Sequence, residues 1–323
     1  SSCCEPLRNN FQMQTKHTPR YLPINHHLSH AYSVYMLSPF EESLIMVIDA
    51  GGNTLENSVS PEWWTLPREQ HSYYIAKGDT ITLFERDFEK SFSAGIGEIY
   101  RAFTYYLGWH SSQYAGKTMA LAAYGDSERF LKKNIFTFND DGSLTSNVAN
   151  TPNKPISMVE NILRFNSITN LKERKSNDPI EQIHKDIAYW IQSETEKAVF
   201  SKINYLVKKT GVKKLCLAGG VAYNCRLNGR ILLHTPIEEI FIHPGSGDHG
   251  QCFGNAIYAY LYSMKGYNKF APFRPYWGGE EEITIEKVLK IVGSDSKIEV
   301  MESKSHIAEA AKLIIDGNAI CWF

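Results

Sequence analysis

Nothing in this 323-residue chain approaches the roughly 20 consecutive apolar residues of a membrane span, and its amino-terminal stretch lacks the basic-then-apolar order of a secretory signal. A surplus of charge is missing too: 34 Lys and Arg stand against 35 Asp and Glu, a formal net charge of -1. Without a broad field, neither nucleic acid nor a membrane is an expected partner, and recognition has to be local. The six cysteines (Cys3, Cys4, Cys216, Cys225, Cys252 and Cys321) never fall in a CxxC spacing. That excludes the signature of a zinc ribbon or a disulfide scaffold and makes a reducing, cytoplasmic location the expectation. There is no Gly-x-Ser-x-Gly elbow, no Walker lysine loop, no short-period repeat and no low-complexity tract.

What is present is ordinary globular material, 43% hydrophobic and 21% charged, long enough for one large or two unequal domains. Both ends read as cut. Ser1 is not an initiator methionine, the first twenty-odd residues with Arg8, Lys16, Pro19 and Arg20 read as loop, and Asn318 to Phe323 is a strand-like run without a polar tail. The expectation is a piece of a longer polypeptide.

Hydrophobic periodicity predicts a helix capped by Asn25 and running to about Leu37, then a buried strand from Ser43 to Asp49. Alternation on either side of Lys77-Gly78-Asp79 predicts a hairpin of Ser72 to Ala76 with Thr80 to Arg86. Helices are expected at Ser93 to Leu107 and Ala115 to Tyr124. The polar stretch Asn134 to Pro179 reads as an insertion or peripheral subdomain. A long helix, Pro179 to Lys209, precedes two strand-turn-helix units: Lys213 to Ala218 with a helix from Val221 to Leu233, and Glu239 to His243 with a helix ending near Met264. Strands alternating with helices predict an α/β core. Residues 266–280, rich in Gly, Pro and aromatics, read as a linker between a first domain, 1–265, and a helix-strand-helix-strand pattern over 281–323, with strands at Lys297 to Met301 and Ala319 to Phe323.

Chemistry is concentrated in a few places. His26 and His30, four apart on a helix, share a face and can reach one ion, while Asp49 leaves a strand end nineteen residues later with a hard anionic oxygen. Asp248, in the glycine-rich turn Pro244 to Gly250, can supply a fourth ligand. Two imidazoles with two carboxylates suit Fe(II), Mn(II) or Zn(II) better than Ca(II) or Mg(II). His27 points about 100° away and is a weaker candidate, and His243 and His249 are expected in structural or substrate-contacting roles. A second constellation, Gly219-Gly220 at a strand end with Asn224 and Asn228 beyond it, can cradle a phosphate on free helix N–H groups, or it is a tight turn without a ligand. The Gly245 to Gly250 turn, with Gly247, repeats it. Lys117, alone in an apolar helix, either snorkels to solvent or faces an anion. Cys216, Cys225 and Cys252 lie on apolar faces and are expected in the core. The pair Trp63-Trp64 lines an acceptor pocket or simply packs.

Four segments, HHLSHAYS with the strand SPFEESLIMVIDAGGN, then GKTMALAAYG, LAGGVAYNCRLNGR and PGSGDHGQCFGNAI, together resemble the O-carbamoyltransferase family of nodulation proteins and of tobramycin and cephalosporin carbamoyltransferases. The resemblance implies an ASKHA, actin-like, duplicated RNase H-like core related to the tRNA threonylcarbamoyl-transfer enzymes, N-terminally incomplete here and followed by the start of a YrdC-like domain. It implies that His26, His30, Asp49 and Asp248 hold the metal, with iron favoured, and that Lys117, Gly219, Gly220, Asn224, Gly245 and Gly247 face the nucleotide. The implied partners are carbamoyl phosphate, ATP with Mg, and a hydroxyl-bearing small molecule, with a homodimer left open. Carbamoyl-adenylate would form in the YrdC-like domain, and the metal-bearing domain would pass the carbamoyl group on. A metal-dependent hydrolase or nucleotide phosphohydrolase, or a catalytically idle nucleotide-binding fragment, are the competing expectations.

Overall fold

The computed structural model of the chain describes residues 22–54, 67–88, 94–140, 142–146, 154–169, 171–264, 284–293, 297–301 and 303–321. The chain divides into two compact units, Ser1–Phe273 and Arg274–Phe323.

The first unit is built on a five-stranded mixed sheet of β1 (Glu42–Ile48), β2 (Glu69–Lys77), β3 (Thr80–Phe88), β6 (Lys214–Ala218) and β7 (Glu239–Ile242), in the order β3-β2-β1-β6-β7. β1 runs antiparallel to β2 and parallel to β6, and β6 runs parallel to β7. The β2–β3 turn is tight because Gly78 takes a positive φ of 59°. Covering both faces of β1 requires an unbroken apolar run, and alternation then sorts its side chains. Leu44, Met46 and Ile48 enter one core with Tyr73, Leu215 and Leu217. Ile45 and Val47 enter another with Tyr74, Cys216 and Ala218.

Two helices cover the second core: α1 (His26–Met36) and α7 (Gln251–Met264). Their backbones cross closely at Gly254, where a Cβ would stand 1.9 Å from the Ser29 carbonyl oxygen. The first core is larger and is covered by α2 (Ile96–Tyr106), α3 (Ala115–Leu121), α4 (Pro155–Phe165), α5 (Gln182–Thr210) and α6 (Cys225–His234). The 29-residue α5 starts in a capping box of Glu181 and His184 and stops at Gly211, which adopts the left-handed conformation.

Several sequence expectations need correction. The stretch 134–179 is not peripheral: Ile135, Phe136, Leu144, Met158, Val159, Ile162 and Leu163 are all buried in the larger core. Its small hairpin, β4 (Phe136–Phe138) with β5 (Leu144–Ser146), and amphipathic α4 each bury one face, so polar residues of the other face dilute the apolar signal. Cys216 is buried as expected, but Cys225 and Cys252 are exposed. Helix α6 begins at Cys225 rather than Val221, after a 3-10 turn over Gly220–Tyr223. The second unit contains α8 (Ile285–Val292) and α9 (His306–Ile315). Neither 297–301 nor 319–321 forms a strand, because among the described residues no partner strand pairs with them. Trp63, Trp64 and the linker 266–280 lie outside the described residues.

Candidate metal centre and adjoining cleft

Parallel pairing of β1, β6 and β7 brings their carboxyl ends to one side of the sheet, where the following loops converge. β1 delivers Asp49, β6 delivers Gly219-Gly220, and β7 delivers the turn that carries Asp248. Helix α1 opens over the same edge, capped by the Asn25 side chain, which accepts from the Leu28 N–H, while its amide donates to buried Glu69 at 2.8 Å. His26 and His30 thus sit one turn apart above Asp49.

The four side chains meet. His26 Nε2 is 3.4 Å from Asp49 Oδ2 and 3.4 Å from Asp248 Oδ1, and His30 Nε2 is 3.2 and 3.3 Å from the same two oxygens. All four candidate ligand atoms lie within 4.8 Å of one another. Asp49 Oδ1, turned the other way, accepts from the Ala50 N–H at 2.7 Å. His30 is fully buried and Asp49 nearly so, whereas Asp248 is 70% exposed at the mouth.

Burial alone would lower the basicity of both imidazoles, but hydrogen bonds with Asp248 and Asp49 outweigh it, lifting His26 to about 9 and raising His30 as well. Burial works to raise the Asp49 carboxyl, and bonding to His26 and His30 overcomes this and holds it well below the usual carboxylate range. Asp248 is held low by bonding to the same two histidines. Two borderline nitrogens and two hard oxygens converging on one point are a donor set that a divalent transition metal fits.

His27 is outside this set. Its Nδ1 is 2.7 Å from Ser72 Oγ, and burial, reinforced by neighbouring His26, pushes it down to about 3.

A cleft of about 610 Å³ opens beside the cluster, with Asp49 and Asp248 on its wall. On one side stand Gly97, Tyr100 and Arg101 of α2 with Ala115, Gly116 and Met119 of α3, and on the other Gly220, Val221, Tyr223, Asn224, Gly247 and His249. Of the residues expected to face a nucleotide, Gly220, Asn224 and Gly247 line it, and Gly219, Gly245 and Lys117 do not. Gly219, at φ 89°, lies where a Cβ would meet the Ile48 carbonyl oxygen at 2.2 Å, so it lets the two strand ends approach. Gly245 packs on Gly250. Lys117 is exposed, its ammonium 4.2 Å above the Tyr114 ring.

Asn224 reaches the cleft wall with its hydrogen-bonding groups turned inward. Its carbonyl oxygen accepts from the Leu227 N–H at 3.0 Å, capping α6, and its amide donates to Gln192 at 2.9 Å. Buried Gln192 also accepts from Tyr100 at 2.8 Å, so one amide on α5 ties both cleft walls together. Asn228 donates to the Ala222 carbonyl at 2.7 Å. His243 is buried with Nδ1 accepting from the Gly245 N–H at 3.0 Å, which is a structural role, whereas His249 is exposed on the cleft.

Sequence reasoning missed Arg101, Tyr223 and Gln251. Arg101 is the cleft's guanidinium, held by Glu98, to which its Nε donates at 2.9 Å. Its signal was the one Lys117 gave, a single cation in an apolar helix. Gln251 carries its amide nitrogen to within 2.9 Å of His26 Nε2 and 3.1 Å of His30 Nε2.

Residues 6–257 match the family model described as the carbamoyltransferase N-terminus. An uncharacterized protein of Synechocystis, sll1178, is 30% identical over 320 residues, covering 96% of this chain and 49% of that protein. The nodulation protein NolO of Bradyrhizobium diazoefficiens is 27% identical over 304 residues, covering 93% and 50%, and NolNO of Sinorhizobium fredii is 29% identical over 304 residues, covering 93% and 40%. The chain therefore spans about half the length of the curated relatives it matches. Among solved structures, HypF of T. kodakarensis aligns over 81% of this chain and 39% of its own at 13% identity and a TM-score of 0.47, too low to argue from. With the family model covering most of its length, the chain belongs to the carbamoyltransferase family, as a representative of that family's N-terminal part.

Proposed function

We propose that this chain carries the transfer half of an O-carbamoyltransferase, in which a carbamoyl group passes from carbamoyl-adenylate to a hydroxyl of a small-molecule or natural-product acceptor and AMP departs. One observation carries the reading: His26, His30, Asp49 and Asp248 converge within 4.8 Å of one another, and the two aspartates line a cleft of about 610 Å³ at the carboxyl ends of parallel strands. His26, His30, Asp49 and Asp248 would hold a divalent ion, which would supply Lewis acidity for the carbamoyl carbonyl; Fe(II) is favoured, and Mn(II) and Zn(II) suit the same donors.

The chain's own groups do the rest. Gly220 and Gly247 bring bare backbone to the cleft wall, so a phosphate can approach it closely. The Arg101 guanidinium offsets the charge of the adenylate, and Tyr100, Met119, Val221 and Tyr223 exclude water from the carbamoyl carbon, which would otherwise be hydrolysed. In the transfer, the acceptor oxygen bonds to that carbon as the bond to the phosphate oxygen breaks, and the hydroxyl proton passes to the departing phosphate or to solvent. In the same reading the first unit is part of an actin-like, duplicated RNase H-like core, a reading that the β3-β2-β1-β6-β7 order supports. Residues 281–323 belong to a YrdC-like domain that makes the adenylate from carbamoyl phosphate and ATP with Mg.

The test is His30→Ala in the polypeptide as it occurs, with elemental analysis, circular dichroism and transfer of labelled carbamoyl from carbamoyl phosphate and ATP. Metal content and transfer should fall together, transfer on the order of 100-fold or more, with the fold retained. A variant that keeps both would overturn the proposal, and free carbamate in place of a carbamoylated acceptor would point to hydrolysis instead.

A further inference from the structure

Gln192 on α5 is fully buried and does not line the cleft, yet both walls of the cleft end on it. Its Oε1 accepts from the Tyr100 hydroxyl of α2 at 2.8 Å and from the Asn224 amide, at the start of α6, at 2.9 Å. A single oxygen atom thus receives a donor from each side. At the other end of the carboxamide, Nε2 donates to Glu196 Oε1 at 2.8 Å and to Asn224 Oδ1 at 3.1 Å. Glu196, also buried, accepts from Arg226 Nε at 3.0 Å and pairs with Arg230 Nε at 3.1 Å, so α6 is fastened to α5 at further points along the same face.

Hydrogen-bond logic fixes the orientation of this amide from both directions. The Leu227 N–H requires the Asn224 oxygen, which turns the Asn224 NH2 toward Gln192, and the Glu196 carboxylate requires the Gln192 NH2. Every donor and acceptor position of the Gln192 carboxamide is then filled. Burial, and after it the Glu196 charge, pushes the Tyr100 phenol well above its ordinary range, so the hydroxyl stays a donor. Among the described residues Gln192 is its single hydrogen-bond partner. Walls held in place before a ligand arrives spare that ligand the cost of ordering them.

We propose that Gln192 is a positioning residue that sets the separation of the cleft walls for a bound nucleotide, acting through Tyr100 and Asn224; this rests on the reading of the cleft as the adenylate site. The test is AMP binding by calorimetry to the polypeptide as it occurs and to Gln192→Met, Tyr100→Phe and the double variant, with circular dichroism and urea unfolding to follow the fold. Gln192→Met keeps the length of the side chain and removes its bonds, and it should bind AMP about 10-fold more weakly, because two buried donors then turn to the cleft for partners. Tyr100→Phe, which leaves the ring in place, should lose about 3-fold. The double variant should bind no more weakly than Gln192→Met, since the hydroxyl acts only through the amide. Losses that multiply in the double variant overturn the proposal, as does a Gln192→Met of lowered stability and unchanged AMP affinity. Should Gln192→Met not fold, Tyr100→Phe decides alone, and AMP affinity equal to that of the unaltered polypeptide overturns the proposal. No AMP bound by the unaltered polypeptide overturns the adenylate reading, and the proposal with it.

Discussion

Protons and any divalent ion held by this cluster would compete for the same nitrogens. In the metal-free chain, hydrogen bonds to Asp248 and Asp49 overcome burial and keep His26 protonated up to about pH 9, with His30 shifted the same way. A divalent ion bound there would therefore displace protons at neutral pH, and its apparent affinity should fall by about tenfold for each unit the pH is lowered, per proton displaced. Mn(II) calorimetry at pH 7 in buffers of different ionisation enthalpy should register that release; heats independent of buffer would contradict it. The stability sign follows from the same shift. A histidine raised above its ordinary 6.5 contributes its full stabilisation below that pH and loses it as pH climbs through about 9. The metal-free chain should thus lower its melting temperature between pH 7 and 9.5, and the Mn(II)-loaded chain should not. The convergence of His26, His30, Asp49 and Asp248 was legible because helical spacing and a strand end are both local signals. Arg101 and Lys117 were not separable: each is a single cation in an apolar helix, and only tertiary packing decides that one lines the cleft and the other meets solvent. Asn224 lines the cleft as expected of it, and because α6 starts four residues later than the pattern implied it also caps that helix, its side chain bonded to the Leu227 N–H and Gln192.

Helix α7 is held against α1 by the absence of a side chain. Gly254→Ala would put a methyl into the Ser29 carbonyl, and the two helices would have to separate, costing about 1–3 kcal/mol or somewhat more. Urea unfolding measures that loss, and because Asp248 lies in the turn directly before α7, any Mn(II) affinity should drop alongside it. A variant of wild-type stability would mean that the helices yield more easily than their contact suggests. At this scale β1, β6, β7, the β2–β3 hairpin and α5 could be read from the sequence, since each has either a clear period or a glycine at its end. The segment 134–179 could not, because each of its short elements buries one face only, and its contribution to the larger core depends on α2 and α5 lying across it. Residues 297–301 and 319–321 have strand-like composition, yet a strand exists only through its partner.

At the scale of the whole chain, burial is distributed unevenly. β1 lies between β2 and β6 with six of its seven residues buried, whereas α8 and α9 of the second unit bury no side chain. Amide exchange followed by mass spectrometry should find the β1 amides opening only with global unfolding and those of α8 and α9 exchanging orders of magnitude sooner. Equal protection would show that the second unit draws stability from something other than its own side chains. No helix among the described residues is long and apolar enough to cross a membrane. The two halves of the cluster come from opposite ends of the first unit: Ser29, between the histidines, and Gln251, beside Asp248, are 222 positions apart. During synthesis, α1 and Asp49 leave the ribosome long before their counterparts exist, and closing so wide a loop is entropically costly until the intervening sheet has assembled. An ion captured there would act as a late clasp. It could be retained only by a polypeptide that has finished folding, so metal loading would double as a check that the domain was made correctly.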